Sequence, residues 1–224
     1  MKRFLLVALI CSNAFSLFAE NLAAEFFCQK SNSSFAAPDS SDFRKYAPSR
    51  EADILHLKLD VTPDFKARTV SGTATFTFKP IAKPLEELHL NGVDLSVSAV
   101  TSTEKIESYQ VTDEKIIITF AQPILAEKET TLTITYSAEP AEGLYFRTPE
   151  MGYKTGETQV WTQGEAIEAR HWYPCYDHPN EKFTSEIIAH VPEEMTVLSN
   201  GKLISETKES SGLKAVRWSQ EKPH

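Results

Sequence analysis

Residues 53 to 61, DILHLKLDV, alternate strictly: Leu55, Leu57, Leu59 and Val61 fall on one side of an extended chain, and Ile54, His56, Lys58 and Asp60 on the other. Strand side chains point to opposite faces with a period of two, so such a segment buries one face only as part of a sheet. The stretch TVSGTATFTF repeats the pattern, setting Val70, Ala74, Phe76 and Phe78 against a row of Thr73, Thr75 and Thr77, residues suited to a pleated, half-buried surface. Further strands are expected at ELHL, VDLSVSAV, SYQVTDEKIIITF, TTLTITY, TQVWTQ, FTSEIIAHV, MTVLSNGKLIS and KAVRWS. Asn200-Gly201 is the dipeptide a type I′ hairpin turn favours, because both residues tolerate positive φ. Asp113-Glu114 offers a second turn between Tyr109 and Phe120. Beyond one turn at Glu165 to Arg170, no stretch carries helical spacing. The fold class that follows is all-β, with antiparallel sheets packed face to face or curled into a saddle, and a parallel α/β fold is excluded.

The β pattern sets in near Ala52, which divides the chain into a domain over residues 52–224 and a different kind of sequence before it. Residues 1–19 carry the basic pair Lys2 and Arg3, an apolar run from Phe4 and then small residues, the layout of a secretory signal peptide. The run is interrupted too soon, by Ser12 and Asn13, to give a stable membrane span. Cleavage after Ser16, Ala19 or Ala24 fits, and Cys11 follows Ile10 rather than the small residue that lipid-modified cysteines require. Residues 20–51, rich in Ser, Ala and Pro, read as a polar linker or N-terminal arm. A secreted or periplasmic location is therefore expected. There Cys28 and Cys175 could pair or stay as two independent thiols, and both alternatives stand. The formal charge of −8, with no basic block after Arg3, argues against nucleic acid as a partner.

Chemistry concentrates in TQGEAIEARHWYPCYDHPNEKFTSE, residues 162 to 186. His171, Cys175, Asp177 and His178 are all metal-ligand types, but structural zinc sites pair their ligands at short, regular spacings that these four lack. Hydrogen-bonded histidines at a turn between strands are the plainer alternative. Cys175 with a neighbouring histidine and Asp177 or Glu168 has the composition of a thiol nucleophile and its base; a small buried cysteine among aromatics and prolines is the commoner use. Glu165 follows Gln163 and Gly164 at the end of the strand TQVWT, where a chain leaving a sheet presents binding groups. A solvated glutamate, or a partner for Arg170, is the alternative there.

The same stretch resembles the N-terminal β domain of the aminopeptidase N family, gluzincin zinc metallopeptidases. The features shared are Thr162-Gln163-Gly164-Glu165, Ala169-Arg170, the corner Tyr173 to Pro179 and Lys182 leading into the next strand. HLKLDVTPD, Gly72, GLYF at residues 143 to 146 and VLSNG at residues 197 to 201 are weaker supports. The resemblance implies that Glu165 holds the free α-ammonium of a peptide N-terminus and that Gln163 lines the pocket for the first side chain. It implies a structural role for the Pro-Cys-Tyr-Asp-His-Pro corner. Family catalysis uses H-E-x-x-H, whose two histidines bind zinc, and a G-x-M-E-N segment. Neither is in this chain: no two of His56, His89, His171, His178, His190 and His224 are four apart. The expectation is a substrate-positioning domain truncated before its catalytic domain and inactive alone. It carries no catalytic residue and no metal or cofactor of its own, the zinc belonging to the intact enzyme, and its partners are the missing catalytic domain and peptide N-termini. A stand-alone extracytoplasmic β-sandwich binding module is the alternative.

Overall fold

The structure, a computed structural model, describes residues 50–210 and 212–224. The expected signal peptide, most of the arm and Cys28 lie outside these residues. The strands are β1 (Ala52–Asp64), β2 (Thr69–Pro80), β3 (Leu85–Asn91), β4 (Ser96–Ser102), β5 (Ile106–Val111), β6 (Lys115–Ile124), β7 (Thr130–Ala138), β8 (Leu144–Arg147), β9 (Gln159–Thr162), β10 (Thr184–Pro192), β11 (Lys202–Lys208) and β12 (Leu213–Gln220). They build a seven-stranded sheet in the order β11-β12-β10-β1-β2-β7-β4, a three-stranded sheet β3-β6-β5 and a two-stranded sheet β8-β9. The chain is all-β, as its alternation requires, and among the described residues no helix is long and apolar enough to cross a membrane.

One pairing breaks the antiparallel rule: β1 runs parallel to β10, with His56 opposite Thr184 and Val61 opposite Ala189. Parallel neighbours need a long crossover rather than a hairpin, and here everything from β2 to β9 forms it. Alternation tells which side chains face inward but carries no information about strand direction, so this pair is invisible in the sequence.

A single core joins the sheets. Phe76, Phe78 and Ala74 of β2, Leu132 and Ile134 of β7, Leu88 and Leu90 of β3, and Ile116 and Ile118 of β6 are all buried in one cluster. Burying each large apolar side chain contributes about 1.5–3 kcal/mol. The threonine row of β2 lies on the other face and meets the threonines of β7 in register, Thr73 with Thr135, Thr75 with Thr133 and Thr77 with Thr131. Thr75 and Thr133 join their hydroxyls at 3.0 Å.

The alternation of β1 is not carried through. The β1–β2 register shifts between Ile54 and His56, so one residue is left over, the mark of a β-bulge. Ile54 thereby turns into the core at 2% exposure while Leu55, expected on that face, is only half-buried. The hairpin expected at Asn200-Gly201 is also not formed. Residues 195 to 199 are not in a strand and Leu198 is exposed. Gly201 alone takes positive φ, 87°, where a Cβ would stand 2.0 Å from the Ser219 carbonyl oxygen. The glycine is needed for a close approach to β12, and the hairpin closes instead between β11 and β12. Asp113-Glu114 does join β5 to β6, with the Thr112 N–H donating to the Lys115 carbonyl at 2.8 Å.

Candidate functional site

The β8–β9 hairpin positions the motif. Leu144 pairs with Thr162 and Tyr145 with Trp161, and past the last pair the Gln163 N–H donates to the Gly143 carbonyl at 3.0 Å. Gly143 holds φ at +77°, and a Cβ there would stand 2.0 Å from the Glu168 carbonyl oxygen; only glycine permits that backbone approach. The Glu168 N–H donates in turn to the Gly164 carbonyl at 2.9 Å. The segment carrying Glu165 is thus a short loop pinned at both ends, followed by the 3-10 turn Ala169–His171. Helical spacing could not have revealed a turn this short, though the single turn expected between Glu165 and Arg170 is where it begins.

Beyond the turn the chain doubles back onto itself. The Asp177 carboxylate, 9% exposed, accepts from the Arg170 N–H at 3.1 Å and from its Nε at 2.9 Å, while Arg170 NH2 donates to the Asp177 carbonyl at 3.3 Å. Asn91, at the end of β3, bonds across to Cys175 in both directions, at 2.7 and 3.0 Å, and its side-chain oxygen accepts from the Asp177 N–H at 3.1 Å. Val93 donates to the Arg170 carbonyl at 2.9 Å. The Pro-Cys-Tyr-Asp-His-Pro corner is therefore fastened both to the Glu165 loop and to the three-stranded sheet. Asn91 had no signal in the sequence beyond closing an ordinary strand.

The four ligand-type residues of the corner go to separate partners. Cys175 is a buried free thiol, Asp177 belongs to Arg170, and His178 packs its ring against Tyr176 at 5.1 Å between centroids. His171 turns toward Glu142 and Glu168. Burial, and then the charge of Arg170, holds His178 below the ordinary imidazole range. Burial above all, with the nearby Asp177 charge, pushes the Cys175 thiol well up. A reactive cysteine needs the opposite, a lowered pKa and access to solvent. Cys175 is accordingly expected to resist iodoacetamide in the folded protein at neutral pH and to be alkylated once denaturant unfolds it. Mass spectrometry of the Cys175 peptide checks this, and equal labelling in both states would revive the thiol-enzyme reading.

Glu165 is exposed and borders a cleft of about 1600 Å³, together with Trp161, Thr162, Ala166, Tyr173 and Tyr176. Gln163 is exposed as well and is not among the cleft's bordering residues. Trp161 stacks on Tyr145 at 5.8 Å between centroids and is 47% exposed, an aromatic rim that alternation alone could not assign to a site. Deeper in the cleft Glu181 is buried, paired with Arg50 and accepting from the Ile54 N–H at 3.3 Å. Glu168 sits with Glu142: the hydrogen bond between their carboxyls, then burial and the Glu142 charge, holds Glu168 above the usual carboxylate range.

Comparison with known proteins gives this arrangement relatives. The sequence model of the Peptidase M1 N-terminal domain matches residues 53–224. Mouse aminopeptidase B is 27% identical over 176 residues, 66% of this chain and 27% of the mouse protein. Aminopeptidase M1-A of rice, Oryza sativa subsp. japonica, is 28% identical over 218 residues, 92% of this chain and 23% of the rice protein. The chain thus spans about a quarter of the length of these relatives. Among solved structures, an M1 zinc metallopeptidase from Deinococcus radiodurans shares the fold, with a TM-score of 0.66 at 24% identity, over 78% of this chain and 40% of that one.

Proposed function

From the premise that this chain belongs to the Peptidase M1 N-terminal domain family, we propose that it positions substrates for a zinc aminopeptidase. Glu165 receives the free α-ammonium of a peptide, and Gln163, exposed two residues before it and outside the cleft's border, is offered to the first side chain. The observation that carries the reading is the placement of Glu165: an exposed carboxylate on a loop pinned by Gly143, Gly164 and Glu168, at the rim of the large cleft. A carboxylate facing a cationic amine makes a charge-assisted hydrogen bond. Held at a fixed position, it also sets which peptide bond is offered for cleavage.

The residues described here do not fit the catalytic zinc of such enzymes. That metal takes two histidines one turn apart on a helix. The described residues form no α-helix, and their six histidines are dispersed over strands and turns. No chemical step is assigned to the described residues; their work is to bind and orient, and the groups that cut come from a catalytic domain. The relatives' much greater length is what supports that partner. Export from the cytoplasm is part of the same proposal and rests on the basic and apolar layout of residues 1–19.

The test has two arms. Labelled chain is titrated with leucinamide and with N-acetyl-leucinamide while the Gly164 and Glu165 amide resonances are followed. Only the free amine is expected to shift them, and Glu165→Gln is expected to weaken that response about tenfold or more, the loss of one charge-assisted bond. The second arm is hydrolysis of aminoacyl chromogenic amides by the chain alone, with zinc and with a chelator, where no turnover is expected. Equal shifts from the acetylated compound would sink the role of Glu165. Zinc-dependent turnover lost in Glu165→Ala would overturn the division of labour.

A further inference from the structure

The turn between β7 and β8 brings Glu142 to the end of the Glu165 loop, where Glu168 and His171 stand one turn apart. We propose that Glu142, Glu168 and His171 form a binding site for a first-row divalent cation, zinc foremost.

Three features of the geometry carry the proposal. One ligand atom from each residue lies within 4.8 Å of the other two. His171 Nε2 is 3.6 Å from Glu142 Oε2 and 3.6 Å from Glu168 Oε2. Those spacings are too long for hydrogen bonds, yet close to the edge of about 3.4 Å in a tetrahedron whose arms are about 2.0–2.1 Å, the zinc–nitrogen and zinc–oxygen lengths. The imidazole thus aims between two carboxylates without bonding either.

The second feature is electrostatic. No N–H or hydroxyl donates to the buried Glu168 Oε2 among the described residues, and the group its carboxyl faces is the Glu142 carboxyl. Two facing carboxyls repel once both are ionised, and a divalent cation between them offsets that repulsion.

The third is that the stretch carrying Glu168 and His171 is held by its backbone. Glu168 is fixed through its N–H to Gly164 and by the contact of its carbonyl with Gly143, next in sequence to Glu142. Its carbonyl also accepts from the His171 N–H at 3.3 Å. The donor set, two carboxylate oxygens and one imidazole nitrogen, selects zinc or its first-row neighbours over calcium and magnesium, which prefer oxygen alone. Glu142 and Glu168 retain 53% and 31% side-chain exposure, with His171 at 23%, so solvent reaches the site and water can complete the coordination. The site stands whether or not Glu165 binds an amine.

The experiment is calorimetric titration of the chain with zinc and with calcium chloride in a buffer that does not chelate, alongside Glu142→Gln, His171→Ala and, as control, His178→Ala. Cobalt absorption gives the geometry. One zinc per chain at this site is expected, with a saturable rise in Tm and tetrahedral cobalt bands. Glu142→Gln and His171→Ala should each weaken zinc by roughly tenfold or more, while His178→Ala leaves it unchanged and calcium binds far more weakly. Glu142 is exposed enough for its variant to keep the fold, which circular dichroism verifies. No zinc uptake, or uptake that both triad variants leave intact, overturns the proposal; so does loss in His178→Ala alone.

Discussion

Replacing Asp177 by alanine is expected to cost about 3–5 kcal/mol of stability, enough to unfold a large fraction of a domain of ordinary marginal stability. The carboxylate is 9% exposed and accepts from both the main-chain N–H and the Nε of Arg170, whose own side chain is 16% exposed. Removing it leaves a guanidinium with little water and no counter-charge, and an N–H without an acceptor. Breaking one partner of such a pair costs far more than the pair itself contributes. Urea unfolding of the variant reads the loss directly. Asp177→Asn should recover part of it, because the amide oxygen can still accept from the Arg170 N–H while the charge stays unbalanced. Equal midpoints for the variant and the parent would show that the corner is not what fastens the loop.

Gly143→Ala is expected to be nearly as damaging, at roughly 3 kcal/mol or more. Two terms add. A non-glycine residue at φ near +77° costs about 1–3 kcal/mol of backbone strain, and a methyl group 2.0 Å from the Glu168 carbonyl oxygen forces two backbone segments apart. A matched control separates the terms. Gly152 has φ of +89° with nothing within 4 Å of its would-be Cβ, so Gly152→Ala carries the conformational cost alone. Thermal unfolding should place Gly152→Ala within a few degrees of the parent and Gly143→Ala well below both. If the two variants melt together, the contact between the β7–β8 turn and the Glu165 loop is slack, and the loop is not pinned as described.

What the sequence told, and what it withheld, divides along the reach of the interactions. Strand identity rests on local alternation, so the threonine and phenylalanine rows of β2 were readable and lie where they were expected. Strand direction and partner choice rest on contacts far apart in sequence, which is why the parallel β1–β10 pair could not be seen. The bulge at Ile54 is a misfit between two strands and belongs to neither alone. At the site, the motif marked the residues that matter but not their company: Asp177 and Arg170 are seven residues apart, close enough to suspect, whereas Asn91 reaches the corner from another sheet. The Asn-Gly pair misled because Gly201 answers to the Ser219 carbonyl rather than to a turn.

The place of β1 in the large sheet has a consequence for how the protein is made. Its two neighbours are the next strand along the chain and one that lies 128 residues later, where His56 meets Thr184. On a ribosome adding about 5–20 residues per second, that second edge waits roughly 6–25 s for its partner. An unpaired strand edge is the template on which wrong partners dock. The three C-terminal strands β10, β12 and β11 thus act late, as a seal over the central strand of the large sheet, and the interval before they arrive is when this chain most needs protection from its own kind.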